Sequence, residues 1–175
     1  ALLMSNFQAA LRTLLRSTRD LKMVVEQLNY TIYDNTNGER FITFFLGHYN
    51  HRDRSLQYVN AGHNPAVLCW EGEQRSENLG AGTTVLGAFE SLPFLELGKR
   101  NHLTNFTIHL YTDGLTERFN KAQEPFGDER LVQFVKRKLC IDPHKFHELF
   151  LKELEEFGEG SEQTDDITLL SIRFQ

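Results

Sequence analysis

Apolar side chains at Leu3, Phe7, Ala10, Leu11, Leu14 and Leu15 return every three or four positions, a spacing that draws one stripe along an α-helix over 1–16. A second stripe, Leu21, Val25, Leu28 and Ile32, predicts another helix, opened by Ser17, Thr18 and Asp20 and closed by the polar run Asp34-Asn35-Thr36-Asn37-Gly38. The period then changes. Short runs at 41–49, 56–60 and 66–70, rich in aromatic and β-branched residues and separated by polar turns, predict the strands of an antiparallel meander. Residues 84–86 and 94–97 read as further short strands, and 106–112 as the clearest one. Helical spacing returns in Leu131, Phe134, Val135 and Leu139, and again in Phe146, Leu149, Phe150, Leu154 and Phe157, before a last strand over 167–174.

Antiparallel strands with helices before and after them predict an α+β layered fold rather than a parallel α/β sheet. With 175 residues, 40% hydrophobic and 25% charged, the chain can bury one sizeable core and reads as a single domain over 1–175. Its net charge of −5, spread along the sequence, argues against nucleic acid as a partner, because phosphate backbones are held by basic patches. No apolar run reaches the roughly 20 residues that cross a bilayer, so a soluble, cytoplasmic protein is expected, with no membrane contact in this segment. Cys69 in a strand-like run and Cys140 at the end of a helical one have no ligand spacing around them and read as buried hydrophobes. The opening Ala1-Leu2-Leu3-Met4, without a capping residue, reads as cut from a longer protein.

Two acidic spots lie at the ends of strongly apolar strands: Thr112-Asp113-Gly114 after 106–111, and Asp165-Asp166 before 167–172. Two such strands side by side bring the spots to one rim of a sheet, although Asp113 and Asp165 are 52 positions apart. Clustered carboxylates repel one another unless a cation lies between them. Mg²⁺ and Mn²⁺ are hard ions that favour such oxygens, keep several waters and can activate a water toward a phosphoryl group. By spacing alone, a turn at Asp113-Gly114 and a solvated loop at Asp165-Asp166 are the simpler readings. His144 and His147, three apart at a helix start, have no third ligand and read as a solvated face. The chain has neither a GxxxxGK[ST] phosphate loop nor a nucleophile elbow.

The segment Leu110-Tyr111-Thr112-Asp113-Gly114-Leu115-Thr116-Glu117, followed by Phe126-Gly127 with Glu129-Arg130-Leu131 and then Asp165-Asp166-Ile167-Thr168-Leu169, resembles a known motif series. It is that of PPM-type metal-dependent protein serine/threonine phosphatases in their RsbU-like and sporulation-protein-E-like branch. Upstream, Tyr58-Val59-Asn60-Ala61-Gly62-His63-Asn64-Pro65 resembles the same family's Ala-Gly-His-Asn-Pro element, and Leu86-Gly87 its Leu-Gly, all in the family's order. The resemblance implies a PPM-phosphatase-like antiparallel β-sandwich flanked by helices, with a two-metal site at one edge. It implies Asp113 as a ligand of one ion, Asp165 as a second ligand of the same ion, Gly114 and Asp166 as support for the loops around them, and His63 in a structural turn.

Family members carry, ahead of the part matched here, an acidic residue on an early strand and an Asp-Gly pair in a Gly-rich loop; neither is present. The expectation is a domain lacking its first strand or strands, holding one Mn²⁺ or Mg²⁺ ion or none where the complete domain holds two. An uncovered sheet edge in such a domain favours a homodimer. Thr104-Asn105 stands where the family commonly has Gly-Asp, a change expected to alter a turn. The implied activity is hydrolysis of phosphoserine or phosphothreonine on a protein by a metal-activated water. The implied partner is a phosphorylated protein substrate, a small antagonist of an anti-sigma factor in bacterial partner-switching signalling. The alternative is a binding module of the same fold that has lost catalysis.

Overall fold

A computed structural model describes residues 2–73, 75–138, 141–163 and 165–175. Leu139 and Cys140, expected to end a helical stripe, lie outside the described residues. Along the chain run α1 (Leu2–Ser17), α2 (Leu21–Thr36), β1 (Phe44–Asn50), β2 (Ser55–Ala61), β3 (Ala66–Trp70), β4 (Ser76–Leu79), β5 (Gly82–Thr83), β6 (Gly98–Arg100), β7 (Phe106–Tyr111), α3 (Asp113–Thr116), α4 (Gly127–Arg137), α5 (Pro143–Phe157) and β8 (Leu169–Phe174). They form two compact units, one of the residues up to His63 with Leu79–Leu103, the other of Asn64–Asn78 with Thr104–Gln175. Among the described residues no helix is long and apolar enough to cross a membrane.

The first unit sets the helical pair on a sheet. Asp20 caps α2 by accepting from the backbone N–H groups of Lys22 and Met23, and the helix ends at Asn37 in the left-handed region (φ 50). The stripe Leu21, Val24, Val25, Leu28 and Ile32 is buried with Phe7 of α1 against Leu46 and Val59 of the sheet. Asn29 is buried within this helix and fully engaged: its amide donates to the carbonyls of Phe89 and Glu90, and its Oδ1 accepts from Gly87 N–H at 2.9 Å. β1 and β2 pair antiparallel from Phe44↔Ala61 to Asn50↔Ser55. The other edge of β2 is shared, with β6 antiparallel along Leu56–Tyr58 and β5 parallel at Asn60 and Ala61.

Three expectations change here. The strand foreseen over 41–49 begins at Phe44, with Ile42 reaching only an isolated bridge to Leu86. The strands foreseen over 84–86 and 94–97 give way to Gly82–Thr83 and Gly98–Arg100. The reason is steric: a Cβ on Gly82 would stand 1.8 Å from Asn60 O, and one on Gly98 2.2 Å from the Tyr58 ring. These two glycines are the residues that allow close approach to β2. The meander is also interrupted, because β3 leaves this sheet for the second unit.

In the second unit the strand order is β4-β3-β7-β8. Val67 and Cys69 of β3 and Tyr111 of β7 face an apolar layer in which Phe126, Phe134, Phe146 and Phe150 are fully buried. The rings meet edge to face, Phe134 on Phe150 at 4.9 Å between centroids. α5 starts as its sequence requires, with Asp142 accepting from His144 N–H at 2.9 Å and Pro143 in the first turn. Cys69 is buried as expected, and burial pushes its thiol up to about 12. Asn105, the departure from Gly-Asp, takes φ 48 in the turn before β7, a conformation asparagine tolerates.

Candidate functional site

β7 and β8 pair antiparallel from Phe106↔Phe174 to Tyr111↔Leu169. Beyond that last rung the pairing continues through Thr112. Its N–H donates to Thr168 O at 3.1 Å, Thr168 N–H donates to Thr112 Oγ1 at 2.9 Å, and the Thr112 hydroxyl donates to Asp166 O at 3.1 Å. These bonds, and not a continuous ladder, explain why β8 starts at Leu169 instead of at 167. They also draw residues 165–168 onto the end of β7, where Asp113 opens α3.

Gly114 is where the two segments meet. A Cβ there would stand 2.5 Å from Asp166 O and 3.3 Å from the carbonyl carbon of Asp165, a clash no side chain can relieve. Asp113, Gly114, Asp165 and Asp166, singled out in sequence from opposite ends of two strands, thus lie together at one rim of this unit. Asp113-Gly114 is more than a turn: Glu117 N–H closes on Asp113 O at 2.8 Å to form a single helical turn.

All three carboxylates are exposed. Asp113 Oδ1 accepts from Gly114 N–H at 3.1 Å, and Asp165 Oδ1 accepts from Asp166 N–H at 2.7 Å. Each local bond orients its carboxylate and leaves the second oxygen without a protein partner among the described residues. Exposed, oriented carboxylate oxygens are what Mg²⁺ or Mn²⁺ takes, commonly one or two of them with water completing the shell. The donor chemistry therefore fits a hard divalent cation. Among the described residues no group of three or more His, Cys, Asp or Glu is arranged to hold a metal, so these carboxylates form no closed cage by themselves.

On the helix-facing side of the sheet the structure assembles a polar cluster that the spacing of histidines did not reveal. Ser171 Oγ lies 2.7 Å from His109 Nδ1 and 2.8 Å from His147 Nε2, joining β7, β8 and α5. His109 is buried and stacks on Phe146 at 4.3 Å. Burial, and then the neighbouring His147, lowers its pKa to about 4. His147, half-buried, turns toward the sheet through its bond to Ser171 and not to the solvent expected for it, and burial and then His144 lower its pKa as well. The available signal was the two-residue period, which puts Thr107, His109 and Tyr111 on one face of β7 and Ser171 on the matching face of β8. On that face Tyr111 OH donates to Asp128 at 3.0 Å; burial, then the Asp128 carboxylate and this bond, raise the phenol's pKa.

His63 lies in the bend that ends β2. Asn60 closes it reciprocally, donating to His63 O and accepting from His63 N–H, each at 2.8 Å, with Gly62 at φ 65. A turn was foreseen for that element, and the chain bends there.

The family model for stage II sporulation protein E (SpoIIE) matches residues 1–175. Protein IcfG of Synechocystis is 26% identical over 161 residues, covering 86% of this chain; the chain spans 24% of that relative's length. Among solved structures, the SiaA PP2C domain of Pseudomonas aeruginosa superposes with a TM-score of 0.85 at 20% identity, covering 100% of this chain and 70% of that one. The PP2C phosphatase domain of SpoIIE from Bacillus subtilis, solved with a fragment of its regulatory domain, gives a TM-score of 0.79 at 19% identity over 99% of this chain and 50% of that one. The RsbU and RsbW domains of a Mycobacterium tuberculosis protein give 0.71 at 22% identity, over 99% of this chain and 48% of that one. With mixed helices and antiparallel sheets that match PP2C phosphatase domains along its length, and a family match from end to end, this chain belongs to the stage II sporulation protein E (SpoIIE) family.

Proposed function

We propose that this domain is a metal-dependent protein serine/threonine phosphatase in which Asp113 and Asp165 hold one Mn²⁺ or Mg²⁺ ion between them. The observation that carries the reading is the interlock of Thr112-Asp113-Gly114 with Asp165-Asp166, which brings two acidic segments from distant parts of a SpoIIE-family chain to one place. A hard cation bound there supplies Lewis acidity toward a phosphoryl group and a water. The chain's own residues do the holding. The Gly114 and Asp166 amides orient the two carboxylates, the Asp166 backbone seats the loop on Gly114, and the open rim admits a phosphorylated side chain from a folded protein. The RsbU and SiaA neighbours support a phosphorylated regulatory protein as substrate, an antagonist of an anti-sigma factor in a partner-switching pathway.

A second reading, a binding module of the same fold without catalysis, is favoured by one observation: among the described residues no group of three or more His, Cys, Asp or Glu is arranged to hold a metal. The two readings separate in one experiment. Mn²⁺-dependent hydrolysis of an aryl phosphate and of a phosphoserine peptide is measured for the 175-residue chain, for the full polypeptide encoded by its gene, and for Asp113→Asn in each. Metal-dependent turnover abolished by Asp113→Asn establishes the phosphatase. No turnover in either form, with retained folding, establishes the binding module.

A further inference from the structure

Arg118 follows α3, and its Nη2 donates to Gly158 O at 3.0 Å and to Ser161 O at 3.1 Å, both in the bend between α5 and Asp165. Gly158 makes room for the guanidinium, since a Cβ there would stand 2.1 Å from Arg118 Nε. The arm that carries Arg118 is itself closed: Phe126 N–H donates to Arg118 O at 2.8 Å, and Phe119 bridges Pro125. Ser161 ties the bend back a second time, its hydroxyl donating to Phe119 O at 2.5 Å.

Packing alone accounts poorly for this arrangement. No carboxylate lies within ion-pair distance of Arg118 among the described residues. Its Nη1 is buried without a hydrogen-bond partner among them. A buried donor left unsatisfied detracts from stability and offsets part of what the two bonds to carbonyls contribute. What it does have is position. The chain from Ser161 to Asp166 is held at one end by Arg118 and at the other by the Thr112 hydroxyl, with Asp165 between the two anchors. Arg118 also stands on the same short arm that begins with Asp113.

We propose that Arg118 is a positioning residue, clasping the 158–161 bend so that Asp165 is presented beside Asp113. This rests on the metal-dependent reading above. Without Arg118 the bend keeps, among the described residues, only the Ser161 hydroxyl on Phe119 O as a hydrogen-bonded tie to the arm, so Asp165 is placed less narrowly and more ordering is left to be done each time an ion binds.

The test measures free and bound Mn²⁺ by electron paramagnetic resonance, together with amide hydrogen exchange, on the chain and on Arg118→Gln and Arg118→Lys. Arg118→Gln is expected to weaken Mn²⁺ binding about tenfold, the lower range for losing a group that orients a metal ligand. It is also expected to speed exchange over 159–166 while leaving α4 and β3 unchanged. Arg118→Lys, which can still donate to a carbonyl, is expected to fall between the two. Unchanged Mn²⁺ affinity in Arg118→Gln, or faster exchange spread evenly through α4 and α5, overturns the clasp alone. A wild-type chain that binds no Mn²⁺ overturns the metal reading and, with it, the role given to Arg118.

Discussion

Acid should weaken this fold through His109, and the size of the effect can be worked out. His109 is buried and neutral in the folded chain, with a pKa of about 4 against an ordinary value of 6.5. Between those values the unfolded chain takes up a proton that the folded chain refuses. Stability is therefore greatest above pH 6.5 and falls as pH drops toward 4. At about 1.4 kcal/mol per pH unit, the loss from pH 7.5 to 4.5 is about 2.5 kcal/mol for this one group. The charged or titratable groups around it on this face include Cys69 of β3, His147 on α5 with His144 beside it, Tyr111 with its partner Asp128 of α4, and Arg173 of β8, which is ion-paired with Glu71. His147 is lowered too and acts in the same direction. Urea unfolding followed by the fluorescence of the single tryptophan, Trp70, measures stability at both pH values. Carboxylates also titrate in this range, so the diagnostic quantity is the pH difference in the wild type minus that in His109→Gln. A remainder near 2.5 kcal/mol is expected; equal pH dependence in the two chains refutes the argument.

Three further outcomes follow from packing. Gly114→Ala forces a Cβ to within 2.5 Å of Asp166 O; thermal unfolding should show a loss of about 2 kcal/mol, in the range for overpacking, and Mn²⁺ should stabilise the variant less than the wild type. Phe150→Ala empties the centre of the aromatic layer, where Phe126, Phe134 and Phe146 all meet the ring, and should cost about 4 kcal/mol in urea unfolding. Cys69, buried and with its thiol pushed up to about 12, should resist an aromatic disulfide reagent at pH 8 in a Cys140→Ser background and react at once in denaturant.

Much of this architecture was legible because it rests on local rules. The opening of α2 at Asp20 and its close within the run 34–38 are visible as residue types at fixed offsets. The Asp113 and Asp165-Asp166 spots were visible as charges interrupting strongly apolar runs. What sequence could not supply were contacts whose partner is backbone. Gly114 read as part of a turn and Gly82 and Gly98 carried no signal, and only the fold shows which backbone or ring comes too close for a side chain at each. Arg118 meets two carbonyls, so no complementary residue marks it in the sequence. The parallel pairing of β5 with β2 escaped for a related reason: a two-residue strand has no period to read.

The register of β7 against β8 is what brings the candidate ligands together, and it is set well away from them. With Tyr111 opposite Leu169, Thr112 falls opposite Thr168 and can reach both Thr168 and Asp166; a slip of one residue would turn its side chain to the other face and undo both contacts. Two rungs earlier, His109 stands directly opposite Ser171 and is bonded to it, and α5 locks the pair through His147. A shifted register would place the His109 imidazole against an apolar neighbour, Leu170 or Ile172, and leave a buried polar group unpaired. The His-Ser-His cluster thus penalises the alternative registers in which Asp113 and Asp165 are apart. The same protonation that weakens the fold in acid should therefore also weaken Mn²⁺ binding beyond what carboxylate titration explains. Comparing the pH dependence of Mn²⁺ affinity in wild type and Ser171→Ala reads this directly: parallel curves would show that the register is held without the cluster.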